Sequence, residues 1–373
     1  MTVRDVFEIR KTDESELLMH ARERLKSFPI LKKIYDDEFL ANLVRHKNNY
    51  DNLLLSWLVI DNPYETGLAY EFLKDIEENL KLFPSQENFR IFKTKLRQWK
   101  TVAFEAAITE LEFSVEYLKR GYQIELEPNL PNNKKGDFSA SKGDIKIFFE
   151  VKTIYGEASN EDQTIMNELS DRLMEMSPPF RIGVEIKEKF KPSQAVEVSK
   201  YILQKLTKLD RLSFAFPFSF TYPENDDPIA IVEIRSRVPN KEKGYIAGFV
   251  YGGGIKVDWK DLRSKIVSGV SQLHPDYPGV IIVKPHGLQV SEFDIKNALY
   301  GDLKINIFGE PQPFRSGERV FAKKKNRRLS AVIYYEKRLR KVGYAKKMLI
   351  FHNQFAAKRL PEDVFEGENV TQF

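Results

Sequence analysis

The hydrophobic periodicity of the chain changes at Gly121, and this change constrains the fold more than any other feature of the sequence. Before it, apolar residues recur at helical spacing, as in Leu68, Phe72, Ile76 and Leu80. After it, the segment YQIELEP alternates between apolar and polar residues, as strands do. The sequence therefore predicts helices from about residue 14 to Gly121 and strands mixed with helices beyond.

The helical patterns change phase between Trp99 and Phe104. We therefore predict an all-helical N-terminal domain over residues 1–100 and a second domain over residues 101–373, which ends in a β-rich C-terminal extension. Within the second domain, helical and strand-like runs alternate, which predicts the α/β class. The predicted elements are a helix at 104–118, strands at 122–128, 180–186 and 279–285, a hairpin around Lys142-Gly143-Asp144, three strands within 212–257, helices at 193–209, 258–273 and 291–299, and short strands around 303–308, 329–335 and 348–353.

The sequence contains no cysteine. This excludes disulfide scaffolds, thiol nucleophiles, iron–sulfur ligation and cysteine-based zinc fingers. The first residues lack the apolar stretch of a signal peptide, and the longest apolar run, residues 53–60, is far shorter than the ~20 residues that span a bilayer. We therefore expect a soluble, cytoplasmic protein that does not bind a membrane.

Positive charge is concentrated in one segment near the C-terminus. The net charge is only +5, yet residues 320–347 contain eleven Lys or Arg and one acid. Such a segment suits the phosphate backbone of a nucleic acid, and a solvated loop and a localisation signal stay open as alternatives. The candidate nucleic-acid-binding residues are Lys323, Lys324, Lys325, Arg327, Arg328, Lys337, Arg338, Arg340 and Lys341.

The candidate catalytic residues lie on the predicted hairpin. Asp137 begins its first strand and Glu150-Val151-Lys152 lie on its second, so we expect the carboxylates of Asp137 and Glu150 to converge. Glu150 and Lys152 share a face because successive side chains of a strand alternate. A hard cation such as Mg²⁺ offsets the repulsion between two carboxylates, and a lysine beside them steadies charge on a phosphoryl oxygen. Together these groups suit phosphodiester hydrolysis.

Residues 104–154 resemble the PD-(D/E)xK nuclease superfamily, whose fold is called restriction-endonuclease-like. The resemblance is carried by Asp137, by Glu150-Val151-Lys152 and by the helix ELEFSVEYLKRG (110–121) before a strand, with Gly136 in place of the usual proline. It implies a mixed-sheet core flanked by helices and a Mg²⁺-dependent endonuclease in which Mn²⁺ substitutes. By position, the implied metal ligands are Asp137, Glu150, Glu110 and the carbonyl of Val151, and the implied catalytic residues are Asp137, Glu150, Lys152 and Glu110.

Glu110 is preferred over the other acids of its helix because of its neighbours. It lies beside small residues, which let a helix approach a sheet closely. Glu105, Glu112 and Glu116 lie on the other side of the apolar stripe, where a solvated acidic face is the ordinary interpretation.

Structural interpretations compete with the functional ones. Glu150 and Lys152 suit a plain ion pair on a strand, and Asp137 suits a loop cap. Gly252-Gly253-Gly254 lacks the Lys-Ser/Thr of a phosphate-binding loop and predicts a tight turn, and His286 follows a strand, where a lone histidine is more often structural.

The resemblance implies a nucleic-acid substrate, in the first place double-stranded DNA, and a role in restriction, anti-phage defence or repair. A homo-oligomer and a regulatory partner bound through residues 1–100 are further expectations. Function belongs to sites rather than to folds, so two alternatives stay open. A non-catalytic nucleic-acid- or protein-binding module would be indifferent to Mg²⁺ and to chelator, and an RNA-cleaving toxin would differ in its substrate preference.

Overall fold

The structure is a computed structural model, which describes residues 12–46, 53–59, 63–98, 100–154, 169, 172–173, 180–186, 190, 192–209, 218–224, 227–237, 245–251, 259–285, 292–306, 312–316, 319–339, 344–365 and 370–372. Its helices are α1 (Glu14–Leu25), α2 (Pro29–Ile34), α3 (Asp37–Arg45), α4 (Leu53–Val59), α5 (Pro63–Lys81), α6 (Gln86–Leu96), α7 (Thr101–Lys119), α8 (Ala195–Leu209), α9 (Trp259–Val270) and α10 (Glu292–Tyr300). Its strands are β1 (Gln123–Leu126), β2 (Phe138–Lys142), β3 (Ile145–Ile154), β4 (Phe180–Ile186), β5 (Phe218–Tyr222), β6 (Ala230–Arg237), β7 (Tyr245–Tyr251), β8 (Gly279–Pro285), β9 (Asp302–Asn306), β10 (Gln312–Ser316), β11 (Leu329–Leu339), β12 (Tyr344–His352) and β13 (Val370–Gln372).

The chain divides into two compact units. The larger comprises Leu18–Gly156 and Val257–Phe373, and the smaller comprises Met1–Leu17 and Glu157–Lys256. This division does not fall at residue 100, since α2–α6 belong to the same unit as α7 and the strands β1–β3 that follow it. The predicted domains, residues 1–100 and 101–373, stay a prediction.

The helices before residue 100 follow the predicted apolar pattern. Leu68, Phe72, Ile76 and Leu80 of α5 are all buried. Polar side chains fix where helices begin, since orphan N–H groups of a first turn need acceptors: at α6, the hydroxyl of Ser85 accepts from the N–H of Asn88 at 3.1 Å. The predicted helical region is confirmed over the described residues.

The predicted turn from helix to strand is confirmed at Gly121. Helix α7 ends just before it, and Gly121 takes a left-handed conformation with φ of 82°, which glycine adopts without steric strain. Strands β1, β2 and β3 follow as an antiparallel series. The turn between β2 and β3 uses Gly143 with φ of 56°, so the predicted hairpin is also confirmed.

A mixed seven-stranded sheet in the order β1-β2-β3-β8-β11-β12-β13 forms the centre of the larger unit. Strand β8 pairs in parallel with both β3 and β11, and β12 pairs in parallel with β13. Strand β2 pairs antiparallel with β1 and β3, and β11 pairs antiparallel with β12. Helix α7 covers one face, where Tyr117 lies 4.7 Å from Phe149 between ring centroids. Helix α9 covers the other face, where Ile266 packs in one core with Ile281. The α/β class is confirmed.

The C-terminal strands β11 and β12 belong to this central sheet, so the predicted β-rich extension is wrong. The run from Ala331 to Tyr335 is buried on both faces, as expected of an interior strand between two helix layers. Strand-like composition alone does not tell which sheet a strand joins.

The smaller unit has its own four-stranded sheet in the order β5-β6-β4-β7. Val198, Ile202 and Leu206 of α8 pack against Ile182 and Val184 of β4. These strands and this helix were predicted, but their separate sheet was not. In the part of the chain that the structure describes, no helix is long and apolar enough to cross a bilayer.

Candidate active site

The hairpin brings Asp137 against Glu150 and Val151. Phe138 pairs with Phe149 in the β2–β3 register, and their rings stack at 4.5 Å. Asp137 directly precedes β2, and its Oδ2 accepts a hydrogen bond of 2.7 Å from the backbone N–H of Val151. The carboxylate of Asp137 is therefore fixed beside the strand that carries Glu150.

Glu150 and Lys152 share one face of β3. The Nζ of Lys152 donates to Glu150 Oε1 at 2.6 Å and to the side-chain oxygen of Gln272 at 2.8 Å. Helix α9 lies against this pair at Gly269, where a Cβ would lie only 3.0 Å from Cε of Lys152. A glycine here therefore lets α9 approach the pair closely.

Glu110 enters from α7. It is buried at 6% exposure, beside the buried small residues Ala107 and Ser114 of the same helix. Its Oε2 accepts a hydrogen bond from Nζ of Lys95, at the end of α6. The same ammonium lies 3.8 Å from Oδ1 of Asp137. Lys95 therefore lies between two of the predicted acidic residues.

The cluster has two halves, Glu150 with Lys152 and Glu110 with Lys95. Glu150 and Lys152 face α9, as their approach to Gly269 shows. Phe149, which directly precedes Glu150, faces α7 on the other side of the sheet. Glu110 comes from the α7 side, and Asp137 links the two halves. Within the described ranges, no three His, Asp or Glu side chains are already grouped to hold a metal.

Burial and mutual repulsion perturb the acids of the cluster. Burial and the charge of Asp137 raise the pKa of Glu150 to about 8, although Lys152 opposes the shift. Burial and Asp137 likewise raise the pKa of Glu110 to about 8, against the effect of Lys95. The two lysines therefore do not fully compensate the negative charge, and perturbed carboxyl groups of this kind concentrate at functional sites.

One oxygen of Glu150 receives no hydrogen bond from the described residues. Glu150 is 1% exposed, and its Oε2 is buried without a hydrogen-bond partner among the described residues. Leaving a buried acceptor unpaired costs about 1–3 kcal/mol. Carboxylate oxygens are the ligands that Mg²⁺ prefers, so the donors of Glu150, Asp137 and Glu110 fit a hard divalent cation in chemistry.

The basic segment divides into exposed and internal parts. Lys324, Lys325 and Arg327 are exposed, and Lys323 and Arg328 are half-buried, in the turn before β11. This group of five, Lys323, Lys324, Lys325, Arg327 and Arg328, is called the basic turn below. The side chain of Arg338 and the whole of Arg340 and Lys341 lie outside the described residues.

Lys337 lies inside the larger unit. Its side chain is 8% exposed, and its Nζ donates to Oε1 of Glu112 at 2.6 Å and lies 3.5 Å from Asp75. Tyr335 donates to the other oxygen of Glu112 at 2.8 Å. The expectation of a solvated acidic face is therefore wrong at Glu112, because β11 packs against that side of α7.

Sequence reasoning did not identify Lys95, Gln272 or Gly269 as part of the site. A signal existed only for Lys95: it follows buried Phe92 by three residues and directly precedes buried Leu96, so it lies on the apolar face of α6, where a charge needs a partner. Gly252-Gly253-Gly254 and His286 lie outside the described residues.

Comparison with known proteins adds no relative. No protein-family model, curated protein or solved structure matches the chain. The geometry of the site and the motif that it contains are therefore the grounds for proposing a function.

Proposed function

We propose that the protein is a metal-dependent endonuclease with a restriction-endonuclease-like core, and that nucleic acid, in the first place double-stranded DNA, is its substrate. One observation carries the proposal. A buried carboxylate oxygen, Oε2 of Glu150, has no hydrogen-bond partner in the part of the chain that the structure describes, and it lies in a cluster with Asp137 and Lys152. An acceptor in such a place suits a ligand that the protein itself does not supply.

The metal-holding residues in this proposal are Glu110, Asp137 and Glu150, with the carbonyl of Val151 added by the motif. A bound Mg²⁺ or Mn²⁺ supplies Lewis-acid polarisation of a phosphoryl oxygen and lowers the pKa of a bound water. The N–H of Val151 orients the carboxylate of Asp137.

Lys152 has the role of stabilising charge on the phosphoryl group. Its ammonium already bonds to Glu150 and to Gln272, and Gln272 fixes the direction in which it points. A positioned cation of this kind stabilises the charge that develops in the transition state. Gln272 is therefore a positioning residue in this proposal.

The basic turn provides the contact with the phosphate backbone. Leu329, which follows it, pairs with Gly279, and Gly279 pairs with Phe148. With strands about 5 Å apart and residues about 3.3 Å apart along a strand, Leu329 and Glu150 lie about 12 Å from each other across the sheet. One nucleic-acid molecule can reach both. A homo-oligomer and a regulatory partner on residues 1–100 stay predictions.

A non-catalytic binding module is the second candidate. It is favoured by the ion pairs of Lys95 with Glu110 and of Lys152 with Glu150, and by the absence of a preset three-ligand group among the described residues. In this candidate the acidic cluster is purely structural, and metal has no effect on binding.

Cleavage of supercoiled plasmid tests the proposal. Wild-type protein, Lys152→Ala and the control Lys146→Ala are incubated with plasmid in Mg²⁺, Mn²⁺ or EDTA, with RNA as a parallel substrate. Lys146 lies on the same strand and pairs with Glu125 at 2.9 Å, away from the cluster. We expect wild type and Lys146→Ala to nick or linearise DNA only with metal, and Lys152→Ala to lose this activity.

Other outcomes separate the candidates. Cleavage that survives EDTA, or that Lys152→Ala retains, would contradict the proposed mechanism. Metal-independent binding with no cleavage by wild type would favour the binding module, and cleavage of RNA alone would reassign the substrate.

A further inference from the structure

The ammonium of Lys95 lies between two of the acids that are proposed to hold the metal. Its Nζ bonds to Glu110 Oε2 and lies 3.8 Å from Asp137 Oδ1. The lysine side chain is 18% exposed and that of Glu110 is 8% exposed, so little solvent screens the pair. The lysine comes from α6, outside the helix, hairpin and strand that carry the motif.

We propose that the ammonium of Lys95 is the resident counter-cation of Glu110 and Asp137, and that it competes with a divalent cation for their oxygens. The inference rests on the proposed metal site. A divalent cation bound to these oxygens would lie within a few ångströms of the ammonium, and like charges at that separation repel strongly at low dielectric. The ammonium must therefore move away when the ion binds.

The backbone around Lys95 is held in place, so the movement falls on its side chain. The guanidinium of Arg97 binds Asp36 through two hydrogen bonds of 2.6 and 3.0 Å, and Lys93 lies 3.5 Å from the same carboxylate. Asp36 in turn accepts from the N–H of Phe39 at the start of α3. These bonds hold the end of α6 against the start of α3.

Calorimetric titration with Mn²⁺ measures the competition directly, without any cleavage assay. The full-length proteins compared are wild type, Lys95→Met and Lys93→Met. Methionine removes the charge and keeps an unbranched side chain, and Lys93→Met makes the same change two residues away, at a lysine that bonds to Asp36 instead of Glu110. We expect Lys95→Met to bind Mn²⁺ roughly tenfold more tightly or better, since it removes a unit charge next to a divalent ion, and Lys93→Met to bind like wild type.

Each other outcome overturns a defined part of the reasoning. Equal or weaker Mn²⁺ binding by Lys95→Met than by wild type would refute the competition while leaving the metal site intact. An equal gain in Lys93→Met would show a general charge effect and would also refute it. No Mn²⁺ binding by any of the three proteins would refute the metal site and the competition together. If circular dichroism shows that Lys95→Met does not fold, Lys95→Gln keeps a polar neighbour for Glu110 and is judged by the same outcomes.

Discussion

Replacing Gly269 by alanine tests whether the close approach of α9 positions Lys152. A Cβ at this position would lie 3.0 Å from Cε of Lys152, 3.1 Å from Cδ1 of Ile281 and 3.6 Å from Cγ of Glu150. Ordinary carbon–carbon contacts lie at about 3.5–4.0 Å. The methyl group therefore has to displace either the lysine side chain or the buried isoleucine.

Two opposing effects set the size of the change in stability. Alanine in place of glycine within a helix gains up to about 1 kcal/mol, and Gly269 lies near the end of α9, where the gain is smaller. Extra volume in a packed interior costs about 1–3 kcal/mol. The matched control is Gly67→Ala in α5, an exposed site where a Cβ meets nothing within 4 Å. We expect Gly67→Ala to be more stable than Gly269→Ala by about 1–3 kcal/mol.

Urea unfolding and plasmid cleavage provide the two measurements. We expect Gly67→Ala to gain stability and to keep the wild-type cleavage rate. Gly269→Ala moves the ammonium of Lys152 away from its bonds with Glu150 and Gln272, and a misplaced catalytic group lowers the rate about tenfold or more. If Gly269→Ala gains as much stability as Gly67→Ala, then a Cβ at position 269 does not crowd Lys152 and Ile281, and this conclusion holds regardless of the cleavage rate.

Two further predictions concern the charged groups of the larger unit. Burial raises the pKa of Glu112, but the charge of Lys337 and the hydrogen bonds from Lys337 and Tyr335 lower it overall. The ion pair of Glu112 with Lys337 therefore stabilises the fold above the pKa of Glu112 in the unfolded chain. This stabilisation is lost as the pH falls through the lower pKa of the folded protein. Glu112→Gln should therefore lower the stability at pH 7 by about 3–5 kcal/mol, and urea unfolding should show this difference shrinking in acid. Replacing the lysines at 323–325 by glutamine should weaken binding to DNA and flatten its salt dependence by up to about 0.9 per lost phosphate contact. An unchanged salt slope, or the same loss on replacing the exposed Lys32 and Lys33 of α2, would remove the basic turn from the interface.

The elements of the fold could be predicted because their signals are local. Gly121 marks the end of α7 by its conformation, and the alternation around Gly143 marks a hairpin. Which strands share a sheet could not be predicted in this way. Strand β3 pairs with β8 after an intervening unit of about a hundred residues that has its own sheet. That choice depends on packing between distant segments, which no local periodicity records.

The candidate site shows the same limit. Asp137, Glu150 and Lys152 lie within sixteen residues of one another on a single hairpin, so alternation along a strand sufficed to bring them together. Lys95 and Gln272 reach the cluster from α6 and from the residues after α9, through tertiary packing. Lys337 was predicted to lie on a basic surface, but it forms an internal ion pair with Glu112, because β11 packs against α7.

The oxygen of Glu150 that lacks a partner among the described residues favours the proposed functional cluster over a structural ion-pair network. A network that serves stability alone is expected to satisfy its buried oxygens, since each unpaired one lowers the stability. Replacing a buried ion pair by apolar residues is often neutral or stabilising. The surroundings of Glu150 suit an apolar residue, since Glu150 pairs with buried Ile281 of the neighbouring strand. Here the protein keeps the acid, pairs one oxygen with Lys152 and leaves the other unpaired, while Lys95 and Lys152 offset only part of the charge. That pattern is expected where a cation completes the cluster, and it is the physical reason to propose the chemistry at Glu150 instead of at the better-satisfied pair of Glu112 and Lys337.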